Sequence, residues 1–352
     1  MPFISARRIM PALVAALCLT TSYPARALLI TPTFDSSINA NASVVAIKAS
    51  INAAIAELTG LISNSLSIGI YFKLGNLGAG GLGSSSQTLL GLTYATVRSQ
   101  LIADSNAHPT NTVLSTAVSY LPNTALAPDG VNFFSQGYSL INLTQANYAL
   151  LGNVTYPCYD NTGTFVGCGA SAGGSNVGVI TLSDGIGSDP TLNWTRPSST
   201  LTDARRVILH EIDEILGIGG GGSRLGASTS SIGITDIYRY SGANTPSYST
   251  AAASAYFSIN NGATSIIGAN QNASGDYGDF YTAPGTCPAY VQDAFTCAGQ
   301  TADVTSATPE ATLFQAIGYT LFGITPVPEP GSLLLLATGL AGIAKLRRRR
   351  LR

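Results

Sequence analysis

The stretch Val207–Gly222, VILHEIDEILGIGGGG, restricts the fold of this chain more than any other. On a 3.6-residue helix His210 and Glu214 lie four residues apart and share one face. Ile208, Leu209, Ile212, Ile215 and Leu216 are apolar and need cover, so the helix belongs against a core. Thr202 or Asp203 can cap its start. Gly217 can end it in left-handed backbone before the glycines turn the chain away. A covered helix that carries an imidazole and three carboxylates must satisfy them, by hydrogen bonds or by a cation.

The arrangement is the zinc-binding pattern His-Glu-x-x-His with Glu214 in place of the second histidine. His210 can ligate through a ring nitrogen, Glu214 through a carboxylate oxygen, and Glu211 can act as general base toward a metal-activated water. The chain has two histidines, His108 and His210, so a three-histidine zinc site is excluded and any metal here must use carboxylates. A carboxylate ligand makes the water less acidic than a neutral imidazole would, and it favours a harder ion such as Mn²⁺. The competing reading is a helix without metal, because His-Glu pairs arise by chance.

Both ends of the chain read as address labels. Residues 1–27 run from Arg7 and Arg8 through an apolar stretch to Ala25-Arg26-Ala27, the order of a secretory signal peptide. At the other end Pro328-Glu329-Pro330 precedes an apolar segment, Gly331–Ala344, and then Lys345 and a run of arginines. The segment is shorter than the roughly 20 residues that span a bilayer comfortably, and the basic end stays on the cytoplasmic side. Residues 326–352 resemble a PEP-CTERM sorting tail of Gram-negative bacteria. That resemblance implies transient anchoring in the inner membrane, recognition by an exosortase, and delivery to the cell surface or beyond. Between the ends, residues 28–328 carry eight Lys and Arg against 17 Asp and Glu, a net charge of −9. An acidic body with so few cations is a poor nucleic-acid binder.

Cys18 leaves with the signal peptide, and Cys158, Cys168, Cys287 and Cys297 remain. An even count in an exported chain points to disulfides, and the short separations favour Cys158–Cys168 and Cys287–Cys297.

Along residues 28–325 the pattern is that of one α+β domain. Val44, Ile47, Ile51, Ile55, Leu58 and Ile62 recur at spacings of three and four, which predicts a helix with Ser43 as its cap. LSIGIYFKLG predicts a strand and GNLGAGGLGSSSQ a glycine-rich loop. Helices are expected at 94–105, 111–121 and 143–152, a strand at 176–184, and then the helix of His210. A propeptide, if the chain has one, would lie in residues 28–60.

Downstream of that helix come SRLGASTSSIGITDIYRYSG, AYFSINNGATSIIGANQNASGDYGDFY, VQDAF and ATPEATLFQAIGYTL. Their order resembles metallopeptidases of the zincin, metzincin-like type that are associated with PEP-CTERM sorting. The resemblance implies a zincin-like domain with a twisted mixed sheet and a metal-site helix. It further implies one divalent metal, zinc first, with His210 as ligand and Glu211 as base, and a protein or peptide as substrate. With Glu214 as second ligand, the best-placed third is Asp236, just after the glycine turn; a turn or cap role for it is the alternative. Tyr238 and Tyr240 are either oxyanion donors or core aromatics. Asp276 and Asp279, in GDYGDF, offer an alternative site for Ca²⁺. The expected protein is an exported monomeric endopeptidase. The alternatives are a non-catalytic surface or matrix protein on the same scaffold, and a carbohydrate-binding module.

Overall fold

The structure is a computed structural model that describes residues 27–122, 140–196, 200–228, 230–251, 254–283, 285–287 and 289–323. The expected signal peptide, but for Ala27, and the sorting tail lie outside the described residues.

The chain opens with β1 (Leu29–Phe34), a one-turn α1 (Ser36–Asn39), α2 (Val44–Leu61), β2 (Ser67–Gly75), β3 (Gly83–Gln87) and β4 (Leu89–Leu92). Next come α3 (Tyr94–Ala107), α4 (Thr112–Tyr120), β5 (Leu140–Thr144), α5 (Gln145–Leu150) and β6 (Gly178–Ser183). Two short strands, β7 (Leu192–Asn193) and β8 (Thr202–Asp203), lead into α6 (Ala204–Leu216). After β9 (Ser231–Gly233) there are β10 (Arg239–Gly242), β11 (Thr245–Pro246), β12 (Ala255–Phe257), β13 (Ile267–Ala269) and finally α7 (Pro309–Ala316).

The main sheet has the order β1-β2-β6-β3. β1, β2 and β6 are parallel and β3 runs antiparallel to β6, with Ser85 opposite Ile180. Parallel strands need crossovers, and α1 and α2 supply the first of them. The inner strands β2 and β6 carry fully buried Ile70, Phe72, Ile180 and Leu182. A second sheet, β11-β10-β12-β13, is built from antiparallel pairs, and β4-β5-β9 forms a third. The architecture is therefore mixed α+β, with several sheets.

α2 buries Ile47, Ile51, Ile55 and Leu58, the stripe its spacing predicts, and packs on α6. Residues 28–60 thus supply β1 and most of α2 to the core. Ser43 precedes α2 but makes no capping hydrogen bond, which corrects the expectation for it. At α6 the cap is Asp203, which accepts the Arg205 amide at 3.2 Å. Gly217 ends the helix at φ 102°, a left-handed conformation that strains any residue with a Cβ.

Two elements differ from the sequence reading. GSSSQ, expected as loop, is the edge strand β3. The expected helix 143–152 begins instead as β5, and α5 starts only at Gln145, where Thr144 caps it.

Candidate metal centre

α6 is buried on almost every side, and its polar residues point where the packing leaves room. One side packs on α2 and another against β3. His210, Glu211 and Glu214 line a cavity of about 370 Å³. Gly80–Ser85 form one wall of it, and Asp276, Asp279, Val291 and residues 293–296 contribute on the other.

His210 Nε2 lies 3.8 Å from Glu214 Oε1 and 3.7 Å from Asp279 Oδ2. One donor atom from each of the three residues falls within 4.8 Å of the other two. Ligand bonds of about 2.0–2.2 Å around a tetrahedral ion hold donors roughly 3.4 Å apart, so the set closes on a divalent cation with small side-chain shifts. His210 Nδ1 lies 3.1 Å from the carbonyl oxygen of Val291. A carbonyl only accepts, so in the neutral ring Nδ1 holds the proton, and the Nε2 lone pair faces Glu214, Asp279 and the Gln292 side-chain amide, whose nitrogen lies 3.3 Å away.

Each carboxylate is also held from behind. Glu214 Oε2 accepts from Ser85 Oγ at 2.5 Å and Oε1 from the Gly220 amide at 3.1 Å. Asp279 Oδ1 accepts from Gln292 Nε2 at 2.9 Å, and Gln292 itself is fully buried. Gly220 has no room for a side chain: a Cβ would stand 2.3 Å from Glu214 Oε1 and 2.6 Å from Asp276 Oδ2.

Glu211 is 5 % exposed, points toward β3 at Gly83, and lies within hydrogen-bonding reach of Glu214. Burial pushes its carboxyl well above the usual range, and the charges of Glu214, Asp279 and Asp276 push further. Burial raises Glu214 to about 7 even though His210 pulls the other way. Asp279 is raised well above its ordinary value by burial and by Asp276. Arg206 is the one cationic side chain in the described lining, and it donates to Tyr290, Phe295 and Thr296 rather than to these acids. A divalent cation bound here would supply the positive charge that the cluster of Glu211, Glu214, Asp276 and Asp279 lacks.

The structure brings together His210, Glu211 and Glu214 but not Asp236. Asp236 is fully buried and accepts from Ser223 Oγ, the Arg224 amide and the Gly233 amide at 2.7–2.9 Å. Its lone pairs tie the segment after the glycine turn to β9, so Asp236 lies outside the group around His210, where Asp279 is the carboxylate beside His210 and Glu214. Asp276 and Asp279 line the same cavity as His210 and are not a turn apart from it. Tyr238 is a core residue whose hydroxyl donates to the Ala316 carbonyl, and Tyr240 is buried as well. Disulfides join Cys158 to Cys168 and Cys287 to Cys297. The parts missed from sequence are the Val291 carbonyl and Gln292. A main-chain oxygen has no sequence signal, and nothing local marks a buried glutamine as a ligand's support.

A PEP-CTERM protein-sorting motif matches residues 326–350. No curated protein and no solved structure matches the chain. The motif implies recognition by exosortase-type sorting machinery, and it marks an exported protein with membrane-associated processing at its C-terminus.

Proposed function

We propose that the protein is an exported metal-dependent peptidase of zincin-like design, with His210, Glu214 and Asp279 as metal ligands and Glu211 as general base. The convergence of one imidazole nitrogen and two carboxylate oxygens within 4.8 Å, with a third carboxyl beside them at the wall of an open cavity, carries this reading. A divalent ion held there supplies Lewis acidity and an acidified water.

The chain's own residues account for the rest. Glu211 is placed to take a proton and later return it to a leaving amine, and burial beside Glu214, Asp279 and Asp276 raises its proton affinity. β3 ends its sheet, so among the described residues one edge has no strand partner, and its residues Gly83, Ser84 and Ser85 line the cavity. An extended polypeptide can pair with such an edge and so lay a peptide bond across the site. Phe295 and Val207 offer apolar contact for one side chain of that polypeptide.

The test is metal analysis of the purified body beside a proteolysis assay. The native chain is expected to carry one equivalent of a divalent metal and to cleave an unfolded protein substrate. Glu211→Gln is expected to keep the metal and lose at least about 100-fold in cleavage rate. A native chain with neither metal nor cleavage overturns the reading. Metal without cleavage favours the non-catalytic surface protein, for which the near-complete burial of Glu211 speaks.

A further inference from the structure

The loop Cys287–Cys297 touches the site at more points than any ligand does. Its Val291 carbonyl takes the Nδ1 proton of His210 at 3.1 Å. Its Gln292 amide donates to Asp279 Oδ1 at 2.9 Å, and the Gln292 main-chain amide donates to Glu310 Oε1 at 3.0 Å. Arg206, one turn before His210 on α6, grips the loop at both ends, donating to the Tyr290 and Phe295 carbonyls and to the Thr296 hydroxyl. Phe280, next to Asp279, pairs with the same loop through Gln292 and Ala294. The Cys287–Cys297 disulfide closes the loop at its base.

We propose that this disulfide-closed loop is the positioning element of the metal centre, and that the centre reaches full affinity only once Cys287 and Cys297 are oxidised. The proposal rests on the metal-site reading above. Two adjacent residues make the case. The Val291 carbonyl selects the imidazole tautomer that carries its proton on Nδ1, and the Gln292 side-chain amide bridges Asp279 Oδ1 and, at 3.3 Å, His210 Nε2. Cross-linking the loop's ends removes the open conformers that would let these two residues drift. Oxidation is a thiol–disulfide exchange. The two thiols form one S–S bond and pass two electrons and two protons to a protein disulfide oxidant, which leaves as a dithiol. Such oxidants act outside the cytoplasm, so an exported chain would gain its metal after translocation. The second disulfide, Cys158–Cys168, spans the same sequence separation of 10 and touches none of the three ligands, which makes it an internal control.

The experiment compares three variants of the full body with the native chain: Cys287→Ser/Cys297→Ser, Cys158→Ser/Cys168→Ser and Gln292→Ala. Imidazole ¹⁵N signals are recorded metal-free at pH 8, with the second histidine assigned by His108→Gln. Zn²⁺ affinity is measured by competition, and circular dichroism checks the fold. The native His210 is expected as the Nδ1-protonated tautomer. Cys287→Ser/Cys297→Ser is expected to shift toward the tautomer mixture of a free imidazole and to bind Zn²⁺ about 10–100-fold more weakly. Cys158→Ser/Cys168→Ser is expected to change neither. Gln292→Ala is expected to lower Zn²⁺ affinity, because it removes the support of Asp279 and the amide beside the His210 ring. Retention of both tautomer and affinity in the Cys287→Ser/Cys297→Ser chain overturns the proposal, as does equal loss in the control pair. Should that variant not fold, an unchanged affinity in Gln292→Ala overturns it. A native chain that takes up no Zn²⁺ sinks the peptidase reading, and the tautomer comparison then decides the positioning proposal by itself.

Discussion

Asp279 and Asp236 are both buried aspartates downstream of the same helix, yet only Asp279 faces His210. Asp236 spends its oxygens on three donors from its own neighbourhood. Asp279 keeps Oδ2 directed at His210 Nε2, 3.7 Å away. Their asparagine variants should therefore fail differently. Asp279→Asn is expected to weaken metal binding by at least tenfold with little change in fold, because an amide is a poorer ligand but still fits. Asp236→Asn is expected to leave the site's affinity nearly intact and to cost about 2–3 kcal/mol of stability, since its amide would meet main-chain donors that need an acceptor. Competition titration and urea unfolding separate the two. His210, Glu211 and Glu214 were legible in the sequence because one helical turn relates them. Asp279 was noticed in GDYGDF but not joined to them, since 65 residues and an entire sheet intervene. Only tertiary packing brings that turn under α6.

At the scale of elements, α6 and α2 were readable because apolar spacing is a local property. β3 was not: Gly83-Ser84-Ser85-Ser86-Gln87 has no β-branched or aromatic residue, and its strand conformation comes from pairing with β6. Small residues are what the place requires. A Cβ at Gly83 would lie 2.4 Å from Glu211 Oε1, and Ser85 is the donor to Glu214. The ends of α6 matter for the same reason, because a helix that slides carries three site residues with it. Gly217→Ala would set a Cβ in left-handed backbone, 3.2 Å from the Asn147 Cβ and 3.3 Å from Thr144 Oγ1. The expected cost is about 1–2 kcal/mol, read as a fall in melting temperature of roughly 2–8 °C. An unchanged melting temperature would mean that the helix end adjusts freely and that α6 is less constrained than its packing implies.

The fold raises the proton affinity of a set of buried carboxyls. Asp213 is completely buried, and neither of its oxygens has a hydrogen-bond partner. Burial raises its proton affinity well above normal, and Glu310, Glu57 and Glu214 add to the effect. Glu211, Glu214 and Asp279 are raised as well. When a folded-state pKa exceeds the unfolded one, the folded chain binds the extra proton, and stability falls as pH rises between the two values. For Glu214 that interval runs from about 4.5 to about 7, worth about 3 kcal/mol across its width. The chelated protein should accordingly be most stable near pH 4–5 and lose stability toward pH 8. Metal binding has the opposite sign, because it requires the deprotonated ligands and strengthens as protons leave. Urea midpoints measured at pH 5 and pH 8, with chelator and with Zn²⁺, should therefore diverge: close together at pH 5, well separated at pH 8. Asp213→Asn, which removes a carboxyl that faces no ligand, should raise the pH 8 midpoint of the chelated chain and leave the Zn²⁺-dependent gap in place. If the gap were the same at both pH values, the acids around His210 would not be exchanging protons for metal, and the cluster would have to be satisfied in some other way.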